Sequence, residues 1–416
     1  GRGTGFLQAL EAGAAATDDV LRCASEDPRV DRVLESRGRY LGELVALLRL
    51  PVDSLVRDLR AHGGDRLGHE VLAAAAAFGH AGACELIEDR AEEVELRGVV
   101  AGWLVDWGVM MPVQLPEPIR ALVLADMLDR SDCAQAFRAP PCEEEVDLRG
   151  RSVAELLERA RTAKMFEQER LQAALTQRTT EPDRVELWHV VQHDLVHGRV
   201  RAAARALGAM GDERGLPLCE QMFGREDDDA APGGRLPGLT RMRRSAMAAY
   251  VQCLPAPLQL RLARTWHPRG GYFTIVGGTM FERHAEPDDR TYLERCVERD
   301  LCEGSGWDII SELDALGRIG DERSAELLAA VAERATYSHA RRRAVHGLAL
   351  LGGADGISRA ALREALWDCE DETAADACAF APDLDEDGKK RVQALSRSPA
   401  AESELRARAA RRLARR

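Results

Sequence analysis

The chain has 416 residues, 45% of them hydrophobic and 31% charged, with aromatics at only 5% and a formal charge of −13. This much apolar material excludes wholesale disorder, the length exceeds what one compact core organises, and the acidic balance restricts nucleic acid to a local basic patch. No apolar run approaches the ~20 residues of a membrane span, and Gly1-Arg2-Gly3-Thr4 does not open a secretory signal, so a cytoplasmic protein without a membrane partner is expected.

Alanine, leucine, arginine and glutamate dominate, and these residues lose little on entering a helix, so composition points to an all-α fold. Arginine outnumbers lysine by 54 to three, a skew that reads as high-GC, bacterial-type coding and weakens arginine content as a nucleic-acid signal. The charge is uneven: residues 1–150 carry 16 basic and 27 acidic side chains. Ten cysteines without a CxxC pair, most on apolar helix faces, read as buried free thiols of a reducing compartment.

In chain order, residues 1–137 read as an N-terminal helical array, with apolar residues at helical spacing predicting pairs near 68–93 and 95–130. Residues 138–151 combine proline, acid and glycine and read as a linker, and 152–416 as a second array. The sharpest side-chain cluster follows. On one continuous helix His189, His193 and His197 would share a face at i, i+4 and i+8, a spacing at which imidazoles share Zn²⁺. Neither frame has the glutamate of a zincin, Val190 and Asp194 standing in its place, and a polar helix face is the plainer expectation.

A helix pair near 185–223 bends at Ala206-Leu207-Gly208-Ala209-Met210-Gly211-Asp212-Glu213-Arg214, and seven of these nine positions recur at 315–323 in the pair near 307–334. In both copies the first glycine, Gly208 or Gly317, is expected as a left-handed helix C-cap, and Asp212 or Asp321 as the N-cap of the next helix. Degraded copies stand at 77–82 and 347–352. Between the two good copies lie a solvated acidic loop at 224–240, a pair near 241–265, and 268–287. This last stretch contains the only strand-like run, Gly270 to Gly278, expected as a hairpin or irregular insert. Pairs near 338–367 and 371–396 and a basic helix at 401–415 complete the chain. Asp383 to Gly388 begins like an EF-hand loop, but Ala394 occupies the twelfth position, where a bidentate glutamate is required, so an acidic turn capping the next helix is expected.

Arginines recur where first helices begin: Arg199 and Arg201; Arg241, Arg243 and Arg244; Arg341, Arg342 and Arg343. Equivalent repeat positions stack, so these are candidates for a basic stripe that tracks a phosphate backbone; the alternative is surface arginine paired with acids of the neighbouring helix.

The hinge Leu-Gly-x-x-Gly-Asp-Glu-Arg after an alanine-rich helix resembles the HEAT-like repeats first associated with phycobilisome lyases. The resemblance covers roughly half the chain and transfers no active-site residue. It implies an α-solenoid of stacked helical hairpins, used mostly to hold protein partners, with rare enzymatic members. Trp103 to Trp107 and Trp307-Asp308 resemble, in residue type alone, the tryptophan–aspartate pairing of HEAT-like DNA glycosylases, against which buried aromatic packing is the default. The expected function is a non-enzymatic scaffold that needs no cofactor and binds a partner protein on a concave face, the arginine edge adding selectivity. The alternative is a HEAT-like enzyme, either a DNA glycosylase or a chromophore lyase subunit.

Overall fold

The computed structural model describes residues 2–25, 37–52, 66–89, 148, 150–163, 165–224, 238–303, 309–352, 356–398 and 401–414. The described residues form helices and short connections, with no strand among them. The pair near 95–130, Trp103 to Trp107, Trp307-Asp308 and nearly all of the 138–151 linker lie outside the described residues.

The chain divides into two compact units, Gly1–Ala139 with Arg290–Arg416, and Pro140–Asp289. The first unit begins with α1 (Arg2–Ala12), α2 (Thr17–Ser25), α3 (Arg37–Leu48), α4 (Arg66–Ala77) and α5 (Ala81–Asp89). The second contains α6 (Val153–Ala160), α7 (Met165–Arg178), α8 (Glu181–His193), α9 (His197–Ala209), α10 (Leu216–Phe223), α11 (Gly238–Val251), α12 (Ala256–Trp266) and α13 (Tyr272–His284). The chain then returns to the first unit with α14 (Arg290–Glu303), α15 (Ile310–Ile319), α16 (Ala325–Arg334), α17 (Ser338–Leu350), α18 (Gly356–Glu364), α19 (Asp371–Phe380), α20 (Glu386–Arg397) and α21 (Ser403–Ala414). The units are therefore not the two consecutive arrays expected from the sequence. N-terminal helices pack with C-terminal ones, through contacts such as the buried Arg391–Glu43 pair at 2.6 Å.

Within each unit a helix packs against its partner and against the helix two places further on. In the first unit α15, α17, α19 and α21 stack in succession and α16 packs on α18; in the second, α7, α9 and α11 stack likewise. Apolar residues at i, i+3 and i+4 supply the seams, for instance Leu313, Leu316 and Ala315 of α15 against Ala344, Val345 and Leu348 of α17, all buried.

The two glycines of the hinge have separate jobs. Gly208 and Gly317 lie inside α9 and α15, not at left-handed caps. A Cβ on Gly208 would sit 2.2 Å from the carbonyl oxygen of Tyr250, and one on Gly317 would sit 2.7 Å from the Cα of Gly347. The left-handed residues are the second glycines, Gly211 at φ 68° and Gly320 at φ 72°, where an L side chain meets its own carbonyl. Asp212 and Asp321 cap as expected, accepting the amides of Arg214 and Arg323 at 3.1 and 3.0 Å. Each arginine also turns its guanidinium back onto the capping carboxylate. Those hydrogen bonds lower Asp321 to about 2.

Residues 268–287 are neither hairpin nor irregular insert, because α13 occupies Tyr272–His284. Its Phe273, Val276, Met280 and Phe281 recur at helical spacing and are buried. Gly277 lies against the backbone of His267, so it serves close approach and does not open a turn. The real turn is Gly270-Gly271, at φ 81° and 58°.

Gly208→Ala is expected to cost about 3 kcal/mol through overpacking against a backbone carbonyl, and Gly211→Ala about 1 kcal/mol through left-handed strain. Urea unfolding of the two variants checks this; equal losses would contradict the separation of roles.

Candidate functional site

Asp368-Cys369-Glu370-Asp371 joins the turn Ala365–Trp367 to α19, and all four residues are buried. Three of them are acids, so the fold must supply partners to hold them out of water. Asp368 accepts Arg341 Nε at 3.0 Å and Nη2 at 3.1 Å, together with the amide of Glu370 at 2.9 Å. Arg341 is fully buried and uses Nη1 on the carbonyls of Ala335 and Thr336, both at 3.2 Å. Asp371 pairs with buried Arg39 at 2.5 Å and accepts the amide of Glu402 at 2.7 Å. Arg391, besides its pair with Glu43, donates to the carbonyl of Leu366. The network thus binds α3 of the N-terminal stretch to α17, α19 and α20. Burial and the neighbouring Asp368 charge push the Glu370 carboxyl up to about 7, against the pull of the hydrogen bond from Thr373 Oγ1 at 2.6 Å.

Beside this network an open groove of about 550 Å³ runs between α16 and α18. Its floor is made of small side chains, Ala329 and Ala330 on α16 and Ala360 and Ala361 on α18, with exposed Ile357 at the edge. Among the described residues, every charged one lining it is acidic: Glu326, Glu333, Glu364 and Asp368. Asp368 therefore belongs both to the groove wall and to the network behind it. Glu364 accepts the amide of Thr4 at 3.0 Å and its hydroxyl at 3.3 Å, which fixes α1 at one end.

Of the residues singled out in the sequence, Arg341 belongs to this network and the others lie elsewhere. The helix α8 ends at His193, and His197 opens α9 after an extended Asp194 and Val196, so the three histidines do not share one helix face. His189 and His193 lie 4.7 Å apart between ring centroids with their planes tilted by 48°, and all three histidines are exposed. Among the described residues no three His, Cys, Asp or Glu side chains converge as a metal site.

Of the three arginine groups, Arg199 with Arg201 and Arg241 with Arg243 and Arg244 belong to the second unit, and Arg341 with Arg342 and Arg343 to the first. Arg341 is the buried partner of Asp368, and Arg244 is buried, donating to the carbonyl of Met222 and lying 5.1 Å from the Tyr272 ring. Arg199 pairs with Asp194 and Glu158, Arg342 with Glu372, and Arg343 with Asp314. Of the remaining candidates, Arg201 and Arg243 are half-buried and Arg241 is exposed. Arg342, Arg343 and His346 lace α17 to its neighbours, and the Asp376 carboxylate, which accepts from the His346 ring, raises the His346 pKa. Asp385 of the EF-hand-like segment caps α20 by accepting the Gly388 amide at 2.8 Å, as expected. Cys219, Cys296, Cys369 and Cys378 are buried thiols, whereas Cys23 and Cys302 are exposed.

No protein-family model matches the chain, and no curated protein matches it.

Removing one member of a buried ion pair strands the other, so Asp368→Ala is expected to cost about 3–5 kcal/mol, with much of the loss recovered in Arg341→Met/Asp368→Leu. Folded Glu370 holds its proton up to about 7, against an ordinary value of 4.5, so the folded state binds the extra proton between these values and stability falls as pH rises through that window. Glu370→Gln is expected to flatten this slope in thermal unfolding between pH 4.5 and 7; an unchanged slope would sink the assignment.

Proposed function

We propose that this chain is a HEAT-like α-solenoid scaffold that holds a partner protein and carries out no chemistry of its own. Support for the repeat reading comes from helices that pack on the helix two places ahead, and from two hinges with the same glycine-aspartate-arginine construction. The non-enzymatic reading draws on how the reactive side chains are used. Burial raises the Cys219 thiol and pushes Cys378 up to about 12, which suits packing and not nucleophilic attack. Buried Arg341 pairs with Asp368, and Arg39 with Asp371, across helix seams.

The observation that carries the proposal is the groove between α16 and α18, an accessible concavity with an apolar floor. Helices with small residues along one face let a further backbone approach closely, the same property that lets them stack on each other.

Ala361→Trp fills the groove without touching a charge. When the full chain is recovered from the organism that encodes it, a discrete partner is expected with the parent protein and not with Ala361→Trp, at equal thermal stability. Identical sets of co-purifying proteins would overturn the proposal.

A further inference from the structure

We infer that His189 and His193, one turn apart on the exposed face of α8, form a two-imidazole site for a late first-row divalent ion such as Zn²⁺, Ni²⁺ or Cu²⁺. The spacing i, i+4 puts both rings on one side of the helix. Their centroids lie 4.7 Å apart with planes tilted by 48°, so the rings are not stacked. An ion bound to an imidazole nitrogen sits about 2 Å from it and roughly 3.2 Å from the ring centre. Two rings at that reach, with centres 4.7 Å apart, subtend roughly 95° at the ion, between the square-planar and tetrahedral angles. A ring's centre lies close to its Cβ–Cγ axis, so turning an exposed imidazole about that bond aims a nitrogen and leaves the separation almost unchanged.

The helix presents the pair rigidly. Its opposite side is packed through Leu187, Trp188, Val190 and Val191, all buried, and Trp188 Nε1 donates to Asp212 at 3.2 Å. At its start Thr180 and Asp183 form a capping box. The backbone is therefore ordered before an ion arrives, and chelation restricts only two side chains. Electrostatics favour a cation as well. His193 is the last residue of α8, where the helix carbonyls gather negative partial charge, and exposed Glu186 stands three residues before His189.

The donors select the ion. Two imidazole nitrogens, with no thiolate on α8, suit zinc, nickel and copper, whereas Mg²⁺ and Ca²⁺ require oxygen. Among the described residues no third His, Cys, Asp or Glu converges on the pair, and His197 stands beyond the extended Asp194 and Val196. A bound ion thus keeps positions turned to solvent, filled by water or by a donor group of another molecule, which makes the site exchangeable and not structural. Neither histidine lines the groove between α16 and α18, so the site is independent of the scaffold reading.

The test is isothermal titration of the full chain with NiCl₂, with MgCl₂ as the oxygen-seeking reference. His189→Asn and His193→Asn each remove one donor, and His197→Asn removes an exposed histidine outside the pair. His193→Gln/Leu195→His keeps the number of histidines and breaks the spacing. All four positions are exposed, so the fold tolerates the changes. Ni²⁺ affinity is expected to fall about tenfold or more in His189→Asn, His193→Asn and the relocated variant, and to be unchanged in His197→Asn. Mg²⁺ should neither bind nor compete. With Cu²⁺, electron paramagnetic resonance should show two nitrogen donors in the parent and one in either single variant. Ni²⁺ should also raise the unfolding temperature of the parent and not of His189→Asn/His193→Asn.

Equal loss in His197→Asn would reduce the binding to scattered surface histidines and overturn the inference. So would full affinity in both single variants or in the relocated one, competition by Mg²⁺, a single nitrogen donor in the parent spectrum, or no uptake of Ni²⁺ by the parent.

Discussion

The buried pairing of Arg341 with Asp368 is the constraint on which the larger unit depends. A guanidinium taken wholly out of water is tolerated only where its donors are met, and here Asp368 and the carbonyls of Ala335 and Thr336 meet them. That requirement fixes the turn after α18, which in turn sets the direction of the acidic run into α19. The adjacent Arg39–Asp371 pair then draws in α3, more than 300 positions away in the chain. Because Asp368 also faces the groove, the geometry of the accessible surface is inherited from the charges beneath it.

The hinge shows how a short motif can serve two scales. Asp212 caps the following turn, is clasped by Arg214, and accepts Trp188 Nε1 at 3.2 Å, while Tyr250 donates its hydroxyl to the Asp212 carbonyl. A local capping residue thus also pins α8 and α11. In the second copy the outside contact is Arg290, at 3.2 Å from Asp321. The local half of the motif is the same in both, and the tertiary half differs.

Helix pairs were legible from apolar spacing, and the aspartate caps from their position before a helix. The glycines were half legible: one letter stands both for a left-handed backbone and for the absence of a side chain, and only the neighbour across the seam, Tyr250 or Gly347, tells them apart. Thr274-Ile275-Val276 has strand-like composition, but burial of Phe273, Val276 and Met280 at helical spacing outweighs β propensity. The arginine series left two readings open, a stripe or pairing with neighbouring acids, and Asp314, Asp368 and Glu372 are the acids that Arg343, Arg341 and Arg342 meet. Of the candidate site, the run Asp368 to Glu372 stood in view, but it read as a boundary between helix pairs. A cysteine embedded among acids was the one sign that water was excluded there. The groove was not legible, since its alanines look the same as those that close a seam.

The contact between Gly317 and Gly347 is sterically unequal. A methyl group on Gly317 would run into main chain, which cannot step aside, whereas one on Gly347 would meet the Leu328 methyl at 3.2 Å, which can rotate away. Tolerance at this seam is therefore one-sided: α17 has room for bulk that α15 must refuse.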